Sequence, residues 1–227
     1  MNAKEINKQI LSYVCNIDAH NDYQLLLSKD KIAKKDKTKS TEFILTNNNW
    51  GAEVDVMPSL CININEINRI WEQCGTRRSH TAFVNLISLE KIMLSGSKNI
   101  EHDQLKYNKY IVHDKNEADD IEVIKLEVNR QFNTYGIPFF QEYASVEGVQ
   151  KLLNTDLTQE WNPYCAGFHV RSIVGLIAAK LCKDANYADI SDFYTTGIMN
   201  HHRNQTMDTE DVSIFFKVRD FLSEMTI

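Results

Sequence analysis

The residues best suited to chemistry lie near the C-terminus, where two adjacent histidines precede several carboxylates. This segment contains His201, His202, Arg203, Asn204, Asp208, Glu210 and Asp211. An imidazole beside carboxylates can bind a divalent metal or move a proton. However, adjacent side chains on a helix point about 100° apart, whereas a metal-binding histidine pair on a helix has a spacing of four. The segment has the composition of an exposed loop between two helices, and we predict no metal site.

Two residues earlier in the chain could join this segment through the fold. His169 and Arg171 lie on a strongly apolar segment that is predicted to be a buried helix. An arginine on such a helix needs a carboxylate or a ligand anion as its partner. If the fold brings His169, Arg171, His201 and Asp208 together, these four residues could form the catalytic site of a hydrolase or nuclease.

Other catalytic patterns are missing from the sequence. It contains no Walker-type glycine loop, no dinucleotide-binding fingerprint, no nucleophile elbow and no kinase signature. The five cysteines are scattered and form no C-x-x-C pair, which indicates neither a disulfide framework nor a zinc cluster. We therefore predict no cofactor and favour a non-enzymatic protein over an enzyme.

The net charge of -6 is distributed unevenly. Residues 1–40 contain eight Lys or Arg against five Asp or Glu, whereas residues 141–227 contain seven against twelve. Because duplex affinity comes largely from cations that neutralise phosphates, an acidic surface disfavours nucleic acid as a partner. The basic run from Lys29 to Lys39 lacks interleaved aromatic residues, and we interpret it as a solvated loop.

The apolar segments are too short to cross a membrane. The longest uninterrupted run, Ile173–Ala179, is far below the roughly 20 residues that a membrane span requires. Residues 1–13 contain lysines among spaced apolar residues and do not have the pattern of a secretory signal. The sequence therefore predicts no membrane association and a cytoplasmic protein.

The hydrophobic period changes partway along the chain. Before about residue 113, apolar residues alternate by twos, as in Glu53–Val56 and Ile62–Asn65, which is typical of strands. After about residue 117 they recur every three or four residues, as in Ile121, Ile124 and Val128, which indicates helices. Short connections between the strands favour antiparallel pairing.

These patterns predict an α+β fold. We expect an N-terminal helix and an antiparallel sheet of about five strands, packed by a helical C-terminal half. The chain is interpreted as a single domain, residues 1–227, with a sheet-rich part at 1–115 and a helical part at 116–227. The expected strands are 41–46, 52–57, 60–64, 81–87 and 107–112. The expected helices are 3–14, with an extension through 23–27, then 66–74, 117–135, 145–153, 168–181 and two more before the C-terminus.

Three residues or segments are expected to interrupt these elements. Pro58 should mark a bulge, an edge or a strand end because it cannot donate to the ladder, and Gly136 should end the helix that begins near residue 117. The polar segment 95–106 is expected to be a mobile loop.

Three functional hypotheses remain open. The first is a cytosolic binding protein, similar in role to an immunity protein or antitoxin, whose acidic helical face docks a basic protein. The second is the hydrolase or nuclease described above. The third is a self-associating scaffold subunit that uses an uncovered sheet face or the aromatic patch at Phe139; the sequence sets no oligomeric state.

Overall fold

The computed structural model describes residues 2–16, 22–75, 80–95, 110–165 and 167–226. The chain begins with helix α1 (Ala3–Cys15), where the side chain of Asn2 accepts a hydrogen bond from the Lys4 amide. The predicted extension of this helix through residues 23–27 is wrong, because Gln24–Leu26 form a strand instead.

The sheet is antiparallel and contains six strands, so this part of the predicted fold is confirmed. Its order is β1-β2-β3-β4-β5, and β6 also pairs with β4. Ile32 lies opposite Phe43, and Val54 lies opposite Val112. The strands are β1 (Gln24–Leu26), β2 (Lys31–Lys35), β3 (Lys39–Asn49), β4 (Glu53–Ile64), β5 (Ala82–Asn85) and β6 (Tyr110–His113).

Two expectations for the sheet are wrong. The basic run predicted as a solvated loop contains β2, in which a cross-strand carboxylate compensates Lys31: its Nζ lies 2.5 Å from Glu42 Oε2 on β3. The strand end, one of the three alternatives predicted at Pro58, does not occur, because β4 is continuous from Glu53 to Ile64. Proline has no backbone N–H to donate to the ladder, but its φ angle is compatible with a strand. It can therefore occupy a strand position whose N–H would not be paired.

Strand β5 is shorter than predicted because a helix begins directly after it. The side-chain oxygen of Asn85 accepts hydrogen bonds from the amides of Ile87 and Ser88 at 3.0 and 3.2 Å. This caps α3 (Leu86–Ser95), which the sequence analysis did not predict. Residues 96–106 of the predicted mobile loop and residues 107–109 of the last predicted strand lie outside the described residues.

The chain divides into two compact units that interleave along the sequence, and the prediction of a single domain stays a prediction. The first unit comprises residues 1–36, 40–61 and 84–141. In it, α1 packs against β1, β2 and α4 (Glu117–Gln131). Its aromatic core includes Phe43 and Phe132, whose ring centroids are 5.0 Å apart.

Gly136 does not end the helix that begins at Glu117. The backbone continues through a π-helical segment, Phe132–Gly136, into α5 (Ile137–Tyr143). A Cβ atom at Gly136 would lie 2.7 Å from the ring of Phe132. The glycine therefore makes room for a buried aromatic ring and does not act as a helix stop.

The second unit comprises residues 37–39, 62–83 and 142–227. Its central helix is α7 (Phe168–Leu181), which has the predicted bounds and packs against α2, α6, α8 and α9. Among the helices of the described ranges, none combines the length and apolar character needed to cross a membrane. The other helices of this unit are α2 (Asn65–Gln73), α6 (Val146–Asn154), α8 (Tyr187–Arg203) and α9 (Thr209–Glu224).

Candidate functional site

The four predicted site residues lie at one end of the layer formed by α7, α8 and α9. Short turns join these helices, so the start of α7, the end of α8 and the start of α9 are neighbours. His169 and Arg171 are in the first turn of α7, His201 is in the last turn of α8, and Asp208 directly precedes α9. We call this region the histidine end. The predicted loop at His201 is wrong, because α8 extends to Arg203.

His201 contacts a carboxylate on one side and a hydroxyl on the other. Its Nε2 lies 3.0 Å from Glu160 Oε2, and its Nδ1 lies 2.7 Å from Thr206 Oγ1. The ring is also 5.3 Å from the ring of Phe168, centroid to centroid. Each ring nitrogen of His201 therefore has a defined hydrogen-bond partner.

The backbone at the end of α8 places Thr206 beside His201. Gln205 has a positive φ of 56°, and its amide donates to the His202 carbonyl at 3.1 Å. The Thr206 amide donates to the His201 carbonyl at 2.9 Å. Together these two bonds form a Schellman motif, which turns the chain back over the last helical turn.

A glycine on α8 makes room for the other side of the site. Gly197 lies so close to the Phe168 ring that an added Cβ would collide with it, and that Cβ would also be 3.1 Å from Glu160 Oε1. A larger residue at this position would therefore displace both neighbours of the His201 ring.

Arg171 is fully buried and binds backbone carbonyl groups. Nε donates to the Leu153 carbonyl at 3.1 Å, and Nη2 donates to the carbonyls of Leu153 and Asp156 at 2.8 and 2.5 Å. Nη1 donates to the carbonyls of Gln159 and Glu160. These contacts use all the N–H donors of a guanidinium group. Arg171 thus fixes the loop that contains Glu160, in place of the predicted carboxylate or ligand anion.

His169 and Asp208 have separate partners. His169 Nδ1 lies 4.0 Å from Asp211 Oδ2, and both side chains are about one third exposed. Asp208 Oδ1 accepts a hydrogen bond from the Asp211 amide at 2.7 Å and caps α9. In the described part of the chain, no group of three His, Cys, Asp or Glu side chains is arranged to hold a metal ion.

Glu160 and Thr206, the two hydrogen-bond partners of the His201 ring, were not predicted from the sequence. Glu160 is 41 positions from His201 and carries no local signal. Thr206 could have been found, because a hydroxyl shortly after a helix end is suited to contact the last turn. A pocket of about 420 Å³ borders Thr206 and is lined by His202, Gln205, Thr206, Met207, Asp208 and Thr209.

The opposite end of the same helical layer carries several carboxylates of α8 and α9, beside Lys180 of α7, whose Nζ lies 5.4 Å from the centre of the Tyr187 ring. The start of α8 lies near the end of α9, as the electrostatic interaction of Tyr187 with Arg219 shows. Phe221 on α9 is 36% exposed. We call this region the acidic end and define it by Asp189, Asp192, Asp220, Phe221 and Glu224.

Charge at the acidic end is only partly compensated. Arg219 forms an ion pair with Asp220 at 3.0 Å and lies over the Phe216 ring. Asp189, Asp192 and Glu224 form no ion pair with any residue that the structure describes. Three carboxylates therefore remain available to an external cation.

A second pocket in this unit has mixed charge. It measures about 550 Å³, and its lining includes Lys37, Lys39 and Arg69 together with Glu66 and Glu147. Lys39 Nζ donates to the Ala144 carbonyl at 2.8 Å. Because cations and carboxylates both face this pocket, its charge selects neither an anion nor a cation.

Comparison of the chain with protein-family models, with curated proteins and with solved structures finds no match.

Proposed function

We propose that the protein is a cytosolic binding protein whose acidic end docks a basic protein, in a role like that of an immunity protein or antitoxin. The observation that supports this proposal is the set of carboxylates at Asp189, Asp192 and Glu224, which have no ion-pair partner among the described residues. They occupy the same helix ends as the exposed ring of Phe221.

This combination is suited to docking for two physical reasons. Uncompensated carboxylates attract a basic surface over a distance and accelerate encounter, although salt weakens the effect. An exposed aromatic ring supplies the apolar contact that carries much of the energy at the centre of a protein interface. A basic partner with an apolar pocket would satisfy both.

The test compares affinity capture from cell lysate by wild type, a triple variant, a single variant and a control variant. The triple variant removes the three charges with nearly equal volume, and the single variant removes the ring. The control variant removes three exposed or partly exposed carboxylates located elsewhere. The proteins are wild type, Asp189→Asn/Asp192→Asn/Glu224→Gln, Phe221→Ala and the control Glu117→Gln/Asp119→Asn/Glu147→Gln.

We expect wild type and the control to recover the same basic protein. The triple variant and Phe221→Ala should each bind the purified partner at least about tenfold more weakly, and added salt should weaken the wild-type complex. Equal recovery by the triple variant, or recovery of no basic protein by wild type, would reject the proposal.

The scaffold hypothesis loses one of its two surfaces. Phe139 and Phe140 are only 3% and 5% exposed, so this aromatic patch is not available to a second copy. We expect sedimentation velocity to show no concentration-dependent association. Self-association that Phe221→Ala abolishes would assign the acidic end to contacts between copies of this chain.

A further inference from the structure

We propose that Glu160, His201 and Thr206 form a carboxylate–imidazole–hydroxyl relay in which Thr206 Oγ1 is a nucleophile toward neutral or cationic acyl esters. The relay consists of two contacts. Glu160 Oε2 lies 3.0 Å from His201 Nε2, and His201 Nδ1 lies 2.7 Å from Thr206 Oγ1. It lies at the histidine end, whereas the proposed partner docks at the acidic end, so the two proposals are independent.

The carboxylate determines which ring nitrogen carries the proton. An ionised Glu160 can only accept, so Nε2 of the neutral imidazole must be the donor. Nδ1 is then the acceptor, and the nearest donor to it is the Thr206 hydroxyl. The imidazole is thereby oriented to remove the hydroxyl proton, which is the arrangement that activates a nucleophilic hydroxyl.

A simple helix cap does not require this arrangement. Thr206 Oγ1 also lies 3.2 Å from the His201 carbonyl oxygen, which is the contact that a capping hydroxyl makes. The contact to Nδ1 is shorter, at 2.7 Å. Glu160 comes from a separate loop that Arg171 fixes, and its carboxylate contacts the His201 ring, which capping of α8 does not require.

The reaction follows from these positions. As Thr206 Oγ1 attacks the acyl carbon, its proton moves to His201 Nδ1. The carbon–oxygen bond to the leaving alcohol then breaks, and Nδ1 returns the proton to that oxygen. Water attacks the acyl-threonine ester and gives a proton to Nδ1, which passes it to Thr206 as the carboxylic acid departs. The net reaction is ester plus water giving acid plus alcohol.

The surroundings select the substrate. Thr206 and Asp208 both line the 420 Å³ pocket. A carboxylate at this position disfavours an anionic ester and favours a neutral or cationic one. The pocket also borders Thr209 in the first turn of α9, where the first backbone N–H groups lack intrahelical acceptors.

The relay is tested first without a substrate, by the ¹⁵N chemical shifts of the His201 ring. We expect wild type to carry the proton on Nε2. Glu160→Gln can donate to Nε2 from its amide and should move the proton to Nδ1, whereas Glu160→Asp should keep it on Nε2. A wild-type proton on Nδ1 at neutral imidazole would overturn the relay, because the hydroxyl could not then donate to that nitrogen.

The second test uses a neutral fluorophosphonate probe and three acetyl esters: p-nitrophenyl acetate (neutral), acetylthiocholine (cationic) and 4-acetoxybenzoate (anionic). We expect covalent labelling of Thr206 and hydrolysis of the first two esters in preference to the third. Thr206→Val and His201→Gln should lose at least about 100-fold in kcat/KM. The control Thr196→Val, an exposed threonine elsewhere on α8, should retain activity.

Glu160 acts through His201 and is a positioning residue. Glu160→Gln should therefore lower kcat with little change in KM, and Glu160→Asp should recover part of the loss. Labelling that persists in Thr206→Val, or absence of both labelling and ester turnover in wild type, would overturn the assignment of Thr206 as a nucleophile.

Discussion

Arg171 donates two hydrogen bonds to the carbonyl oxygen of Leu153, from Nε at 3.1 Å and from Nη2 at 2.8 Å. Leu153 belongs to the last turn of α6, where carbonyl groups lack intrahelical donors and carry partial negative charge. A buried cation on α7 thus satisfies the end of a neighbouring helix. The same guanidinium fixes the loop that presents Glu160 to His201.

We expect Arg171→Met to destabilise the protein by about 3 to 5 kcal/mol, because it leaves several buried carbonyl groups without donors. Arg171→Lys should recover only part of this loss, since an ammonium lacks the planar fork of donors. Urea unfolding measures both changes. The exposed Arg203→Gln is the control and should cost less than about 0.5 kcal/mol. A loss below about 1 kcal/mol for Arg171→Met would show that this network contributes little.

The sequence predicted those parts of the fold that depend on local pattern. Helix α7 has the expected bounds because its apolar residues cover nearly the whole helix surface, and Ser145 was expected to begin the helix whose Gly148 amide it caps at 3.0 Å. The errors at Lys31 and Gly136 have another origin. A partner strand compensates the lysine, and a ring from the preceding turn requires the glycine, so each residue depends on contacts that a local pattern does not contain.

The same distinction applies to the histidine end. His201 was predicted as a candidate site residue because of its residue type. Its hydrogen-bond partners, Glu160 and Thr206, are seen only in the structure. Arg171 was expected to need a charged partner, yet carbonyl dipoles of the backbone provide its contacts. Backbone groups have no sequence signature, so such pairing was not predictable.

Gly148→Ala should destabilise the protein by about 2 to 4 kcal/mol, although glycine to alanine in a helix ordinarily stabilises it. An added Cβ would lie 2.6 Å from Tyr143 Cα and 2.7 Å from the Glu142 carbonyl oxygen. Both are backbone atoms and cannot rotate away. Thermal unfolding monitored by circular dichroism measures the change. The adjacent exposed Glu147→Ala is the control, and equal stability of the two variants would contradict this explanation.

Asp120 should stabilise the fold in a pH-dependent way. The backbone N–H of His113, 2.8 Å from Asp120 Oδ2, holds the pKa of that carboxyl below its usual value, and the His113 ring adds to the effect. The stabilisation is therefore complete above the ordinary carboxyl pKa of about 3.9 and is lost as the pH falls through the lowered folded-state pKa. Asp120→Asn should lose less stability on acidification than wild type, with Asp119→Asn as the control.

A carboxyl ¹³C titration separates the two contributions at Asp120. His113→Ala removes the ring but keeps the backbone N–H, which is the larger cause, so most of the lowering of the Asp120 pKa should persist. Return of this pKa to its ordinary value in His113→Ala would show that the ring is responsible instead.

Two lysines of β2, Lys31 and Lys34, form ion pairs. These pairs should contribute differently to the free energy of unfolding because they differ in solvent exposure. The side chains of Lys31 and Glu42 are 16% and 12% exposed, whereas those of Lys34 and Asp22 are 51% and 74% exposed. Water screens the second pair, so its coupling energy should be much smaller than that of the first. Lys31→Met leaves the largely buried Glu42 carboxylate without its ion-pair partner and should cost about 1 to 3 kcal/mol.

A double-mutant cycle at each pair measures this difference by urea unfolding. Lys31→Met/Glu42→Leu should recover much of the stability that Lys31→Met loses, because an apolar pair replaces the desolvated charges. This recovery would mean that β2 tolerates Lys31 because Glu42 pairs with it, and that the strand does not require this lysine. Equal coupling energies at the two pairs would instead show that desolvation does not determine the contribution of Lys31.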